Sequence, residues 1–233
     1  MTQPNGSFLL PTETETRLGN TMKKRRKILG VYVVLLFLFF PARGFSDDRQ
    51  EFSDDIGPSA ERFITSLADK AITTLTGEDV TREKRAQRFR SILTEHFAVE
   101  TIGRWVLGRH WRKATEGERE EYLGLFEDLL VITYAERFAK YSGETLVISK
   151  SVVNDDQDIV VYSLLKRAEG LQPLKVNWRV RERDESFKIT DIIVEGISMG
   201  QTQRSEFASV IRQNGGDIEN LLSLLRKRLK NDA

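Results

Sequence analysis

Between residues 58 and 141 the apolar side chains recur three and four positions apart, the spacing of one helical face. Phe63, Ile64, Leu67, Ala71, Ile72 and Leu75 predict a first helix. Pro58 suits its first turn and Gly77 its end. The stretch before it, Phe45–Gly57, is acidic and reads as a loose lead-in. A second helix runs from near Asp79 or Thr81 to His96 and buries Phe89, Ile92 and Leu93; a third, Val99–Leu107, carries Ile102, Trp105 and Val106. Thr115 and Glu118 form a capping box, hydroxyl and carboxylate each answering an orphan backbone N–H, and open a fourth helix that reaches about Tyr141. Its apolar set (Tyr122, Leu123, Phe126, Leu129, Leu130, Ile132, Tyr134, Phe138) is wider than one stripe, so this helix must be covered on two sides.

The period changes at Ser142-Gly143. Thr145–Val153, Asp158–Arg167, Leu174–Arg183 and Phe187–Glu195 read as strands, with Asn154–Gln157 and Asp184–Ser186 as hairpin turns. Val176, Trp178 and Val180 alternate with Asn177, Arg179 and Arg181, which gives that strand one covered and one wet face. Two helices follow, Gln201 to about Gln213 and Ile218 to Leu229, separated by Asn214-Gly215-Gly216. The expected class is α+β: helices, a four-stranded antiparallel meander, then more helices in one domain.

Composition narrows the chemistry. The 233 residues hold no Cys and two His, which excludes disulfides, Cys-ligated metals and thiol catalysis and leaves little for a His-rich metal site. With 36 Lys plus Arg against 35 Asp plus Glu, the chain shows no excess positive charge of the kind that marks nucleic-acid binding. The balance is uneven, however. Residues 1–44 carry seven cations and two anions, leaving 29 against 33 in the remainder. Lys23–Lys27 is an unbroken cationic run, Ile28–Phe40 an almost purely apolar one, and Pro41-Ala42-Arg43-Gly44 supplies a small-x-small site. These are the parts of a secretory signal peptide, too short in its apolar region for the ~20 residues of a spanning helix. The expected division is therefore 1–44 as an N-terminal extension and signal, cleaved after Gly44, and 45–233 as one exported domain; Met22 is an alternative start.

Several motifs suggest catalysis. Gly196-Ile197-Ser198-Met199-Gly200 matches the G-x-S-x-G nucleophile elbow and sits between a predicted strand and a predicted helix. That fold places its His after the Ser, whereas His96 and His110 both precede Ser198, and the sheet reads as antiparallel hairpins. The motif is therefore expected to be a strand-to-helix connection. Ser163 and Lys166 match S-x-x-K, but on a strand they point to opposite faces. Asp155, Asp156 and Asp158 lack the Gly and Glu of a calcium loop. Arg104, Arg109, Arg112 and Lys113, interleaved with Trp105, His110 and Trp111, form a basic cluster that reads equally as a docking surface for an acidic partner or lipid phosphates and as a solvated rim. Arg226–Lys230 complements a helix C-terminus.

Two stretches carry a family resemblance. GRWVLGRHWRKAT at Gly103–Thr115, continued by LFEDLLVITYAERFAKYSGET at Leu125–Thr145, and VNWRVRERDESFKITDIIVEGISMGQTQRSEFASVIRQNGG at Val176–Gly216 are similar to the MlaC family. That family comprises periplasmic phospholipid-binding shuttles, also described as the toluene-tolerance auxiliary component of an ABC transporter. His110, where another aromatic is expected, and Ile132, where a basic residue is common, depart from its pattern. The resemblance implies helices packed on a twisted four-stranded antiparallel sheet enclosing an apolar lipid cavity, no cofactor and no enzymatic activity. It also implies a phospholipid ligand, exchange with an inner-membrane ABC transporter ring complex and an outer-membrane lipoprotein complex, and maintenance of outer-membrane lipid asymmetry. A related branch associated with hopanoid synthesis shares the pattern, so another amphiphile is the alternative cargo, and a lipid esterase using Ser198 the alternative activity.

A carrier needs apolar surface that self-packing does not consume. The residues expected around the cavity are Ile102, Trp105 and Val106 of the third helix, and Leu129, Leu130, Thr133, Tyr134 and Phe138 of the fourth. The sheet adds Val161, Trp178, Val180, Ile192 and Val194, and the following segment Met199, Phe207 and Ile211. Thr133 and Tyr134 are placed at the mouth. Each of these is equally a candidate for plain core.

Overall fold

A computed structural model describes residues 48–77, 79–154, 158–167, 171–183, 186–213 and 215–232. The expected signal peptide lies outside them, as do Asp155–Gln157 and Asp184–Glu185 of the two hairpin turns. The helices are α1 (Asp48–Leu75), α2 (Arg82–His96), α3 (Val99–Leu107), α4 (Glu116–Tyr134), α5 (Met199–Gln213) and α6 (Glu219–Asp232). The strands are β1 (Thr145–Val153), β2 (Asp158–Lys166), β3 (Leu174–Arg183), β4 (Ser186–Val194) and β5 (Ile197–Ser198). No helix among the described residues is long and apolar enough to cross a membrane.

Most ends fall within three residues of expectation, and three larger differences stand out. Helix α1 begins ten residues before Pro58, so the acidic lead-in is helical and Pro58 lies inside the helix. Helix α4 ends at Tyr134 and tightens into a 3-10 turn over Ala135–Lys140, with no Gly or Pro to announce it. The sheet has five strands in the order β1-β2-β3-β4-β5, all antiparallel, rather than four. The extra strand is two residues long, below any readable alternation. It is formed by a tight turn in which Glu195 (φ 50°) and Gly196 (φ 82°) both adopt left-handed backbone, the conformation that tight hairpins require.

One face of the sheet is covered by α1. Gly57 passes so close to β1 that a Cβ there would stand 2.8 Å from Ser151 Oγ. Ile159, Val161, Val180 and Ile189 of the sheet are buried against Ala60, Ile64, Leu67, Ala71 and Leu75 of α1 and Ile92 of α2. This is the sheet core. A second, separate core lies among α3, α4, α5 and α6, built from Val106, Leu107, Tyr122, Phe126, Leu129, Phe207, Ile211, Leu221, Leu222 and Leu225. The wide apolar face of α4 is thus explained by neighbours on more than one side. Both cores fall within the compact unit Ser46–Ala233.

Candidate functional site

Three stretches of chain pass between the two cores. The first links α2 to α3: Phe97 packs on the sheet core and forms a bridge to Ile189, with Ala98 N–H donating to Ile189 O at 2.9 Å, and Ile102 then packs on the helical core. The second is the end of α4, where Leu130 belongs to the helical side and Phe138, in the 3-10 turn, to the sheet side. The third runs from Ile192 on the sheet side through β5 into α5, whose Phe207 is in the helical core.

The crossing residues are apolar and half-buried: Ile102, Leu130, Tyr134, Phe138, Ile192, Val194 and Met199, with the mixed side chain of Thr133 among them. Trp178 is half-buried at the rim of the sheet core, where its indole N–H donates to Ser163 Oγ at 3.1 Å. The buried Ser163 hydroxyl in turn donates to Val176 O, so neither polar group is left without a partner. These half-covered apolar side chains, the seam, are the candidate site.

The residues expected from sequence therefore separate. Val106, Leu129, Phe207 and Ile211 lie in the helical core, and Val161 and Val180 in the sheet core, all buried. The other half-buried ones divide: Ile102 and Leu130 pack against the helical core, Phe138, Trp178 and Ile192 against the sheet core, and Thr133, Tyr134, Val194 and Met199 are half-buried outside both. Trp105 is 44% exposed and packs against α5, where a Cβ on Gly200 would approach its ring to 3.0 Å. Sequence reasoning missed Arg137, an exposed cation whose guanidinium lies 5.2 Å from the Tyr134 ring centroid. Its position three residues after Tyr134 was the available signal.

A separate groove lies away from these residues. Its volume is about 450 Å³, and it runs along the outer flank of α1, lined by Ser59, Arg62, Phe63, Ser66, Leu67, Lys70 and His96.

The catalytic motifs resolve into structural contacts. Ser198 Oγ donates to Asp191 Oδ2 at 2.6 Å and accepts the Gln201 N–H at 3.0 Å, while Asp191 Oδ1 accepts the Gly200 N–H at 3.1 Å. Ser198 thus caps α5 and leans on a carboxylate, with no imidazole beside it: His96 meets Lys70 at 3.1 Å and His110 meets Arg109 at 3.5 Å. Burial holds both histidines below their ordinary pKa. Arg109 and Lys113 reinforce this at His110, and Lys70 and Lys188 at His96, where Glu95 opposes it. Among the described residues no group of three or more His, Asp or Glu is placed to hold a metal ion.

The model of the family described as MlaC protein matches residues 65–227. The intermembrane phospholipid transport system binding protein MlaC of Haemophilus influenzae is 24% identical over 141 residues, 59% of this chain and 65% of the relative. The toluene tolerance protein ttg2D of Pseudomonas putida is 21% identical over 114 residues, 49% of this chain and 53% of the relative. The chain thus spans less than two thirds of the curated relatives it matches. A solved phospholipid-binding protein from Ralstonia solanacearum, in complex with a phospholipid, is 24% identical and superposes with a TM-score of 0.67 over 74% of this chain and 98% of its own. That likeness shows a shared fold.

Proposed function

Because this chain belongs to the MlaC family, we propose that it is a periplasmic phospholipid carrier, exported by a cleavable signal and working without catalysis. In this reading it exchanges cargo between an inner-membrane ABC transporter complex and an outer-membrane lipoprotein complex, and so maintains outer-membrane lipid asymmetry. The observation that carries the reading is the set of half-buried apolar side chains along the stretches of chain that pass from one core to the other. The names of the relatives, a phospholipid transport binding protein and a toluene tolerance protein, and the phospholipid held by the fold neighbour support it.

The physics sets the requirement. Each CH₂ transferred from lipid to water costs about 0.8 kcal/mol, so two bare acyl chains in water face a barrier of order 20 kcal/mol. A protein that parts along a weakly covered apolar seam replaces water with side chains such as Leu130, Phe138, Ile192 and Val194. The phosphate stays at the mouth, where Arg137 stands over Tyr134 and offers a charged donor.

Native mass spectrometry of Ser46–Ala233, with mass spectrometry of its organic extract, tests this. The expected result is near-stoichiometric phospholipid released on denaturation; the extract also distinguishes phospholipid from a hopanoid or other amphiphile. A protein that stays bare after incubation with lipid vesicles contradicts the proposal.

A further inference from the structure

The turn that joins α3 to α4 gathers six cations. Arg109, Arg112 and Lys113 belong to it, Arg104 stands in the last turn of α3, and Arg119 of α4 and Arg204 of α5 fold onto it. Arg119 of α4 donates from Nε to Trp111 O at 2.9 Å and lies 5.4 Å from the Trp111 ring centroid, with Arg104 at 5.3 Å from the same ring. Arg204 of α5 donates from Nη1 to Trp105 O at 2.9 Å and lies 5.1 Å from the Trp105 ring. It fills the space beside Gly108, where positive φ and a Cβ position 3.0 Å from Arg204 Nη2 demand glycine.

Several arginines elsewhere are held in ion pairs: Arg62 with Asp55, Arg85 with Glu136, Arg90 with Glu127 and Asp128, Arg181 with Asp158, and Arg226 with Glu121 and Glu219; within the cluster Arg104 lies 3.9 Å from Glu100. Arg109, Arg112 and Lys113 are exposed and have no carboxylate within ion-pair distance among the described residues. Two anions line a small groove with Lys113: Glu118, engaged by the Thr115 N–H and hydroxyl, and Asp217, which accepts the Glu219 N–H at 3.1 Å. This concentration stands out on a chain whose residues after 44 carry 29 cations and 33 anions.

We infer that this turn docks the protein onto the anionic surface of a phospholipid bilayer. Arginine forks match phosphate oxygens, and stacking on tryptophan fixes the guanidinium without neutralising it. Trp105, 44% exposed at the edge of the cluster, has the amphipathic ring that settles at headgroup depth. A protein partner calls instead for a desolvated apolar centre ringed by polar groups. Between Arg104 and Lys113, Trp105 is the one large apolar side chain exposed. The inference goes beyond the carrier reading, since it concerns where the protein touches a bilayer and not what it holds.

Vesicle flotation of Ser46–Ala233 tests it, with phosphatidylcholine vesicles compared with vesicles that also contain phosphatidylglycerol. Binding is expected only to the anionic vesicles, weakening as salt rises, with a blue shift of tryptophan emission that Trp105→Phe removes. A cation near such a surface contributes about fivefold to affinity, so R109Q/R112Q/K113Q is expected to bind about a hundredfold more weakly. The equal-charge variant K166Q/K175Q/R183Q is expected to bind as the parent does. Thermal melting of each variant confirms folding, and an unchanged lipid extract from R109Q/R112Q/K113Q separates docking from carriage. Parent-like vesicle binding by R109Q/R112Q/K113Q, or equal binding to neutral vesicles, overturns the inference. So does capture by immobilised polyglutamate through the same three residues without vesicle binding, which assigns the turn to an acidic protein.

Discussion

The helical core is aromatic at its centre and the sheet core is aromatic at its edge. Tyr122, Phe126 and Phe207 are at most 5% exposed, with ring centroids 5.8–6.3 Å apart, and the Tyr122 hydroxyl donates to Gly103 O. The buried members of the sheet core are alanine, valine, leucine and isoleucine, while Phe63, Phe89, Phe97, Phe138, Trp178 and Phe187 pack half-buried around them. Large rings at a centre commit their area to stability; rings on a rim leave part of that area available to something else. The helical core is thus closed at its centre, while the half-covered rings Phe138 and Trp178 border the seam from the sheet side.

The largest effect should come from hollowing the closed centre. Phe126→Ala is expected to cost about 3–5 kcal/mol and to lower the melting temperature sharply. Phe138→Ala, on the rim, is expected to cost much less and to reduce co-purifying lipid several-fold. Equal losses of stability in the two would erase the contrast between the regions; chemical denaturation with lipid extraction checks both.

Arg85 comes next. It is buried at the boundary of the sheet core, donating to Leu75 O, Val80 O and Glu136 Oε1, and so ties the end of α1 to the 3-10 turn that carries Phe138. Arg85→Met leaves two carbonyls without their donor and is expected to cost about 2–3 kcal/mol in denaturant unfolding.

Ser198→Ala removes the α5 cap and is expected to cost about 1 kcal/mol with lipid content unchanged. An esterase activity lost in this variant would favour the nucleophile reading instead.

The smallest effect is electrostatic and divides evenly between the regions, with His110 beside the helical core and His96 beside Phe63 of the sheet core. Both imidazoles have folded pKa values below their ordinary 6.5, so the unfolded chain binds protons more readily. Their contribution to stability is complete above about pH 6.5 and is lost as pH falls through the folded values. Melting temperature should decline between about pH 7 and pH 5, and His96→Gln and His110→Gln should each flatten the slope. The lowered carboxylates Glu95, Glu121 and Glu144 titrate beneath this window.

Local signals carried much of the fold. The Thr115–Glu118 box, the 3.6 period of α2 and α3 and the alternation of β3 correspond to elements whose ends differ little from expectation. What escaped was set by tertiary context. Strand β5 pairs Ile197 and Ser198 with Val194 and Ile193 across the Glu195–Gly196 turn, and Glu195 there also exchanges hydrogen bonds with Lys175, a contact twenty residues distant. The α4 3-10 turn begins where the chain leaves one core for the other, and no residue type encodes that. The site was legible only as a set. Val106 and Val194 are indistinguishable as apolar positions, yet one is 1% exposed and the other half-buried, because burial depends on which neighbours the fold brings to each.

The most direct test of the seam is photo-crosslinking. With benzoylphenylalanine placed singly at Tyr134, Phe138 and Val194, and at Phe63 in the α1 groove for comparison, Ser46–Ala233 would be loaded with phospholipid and irradiated. The account predicts lipid adducts at the three seam positions and none at Phe63. Adducts at Phe63 alone would move the cargo to the α1 groove and contradict the assignment of the seam.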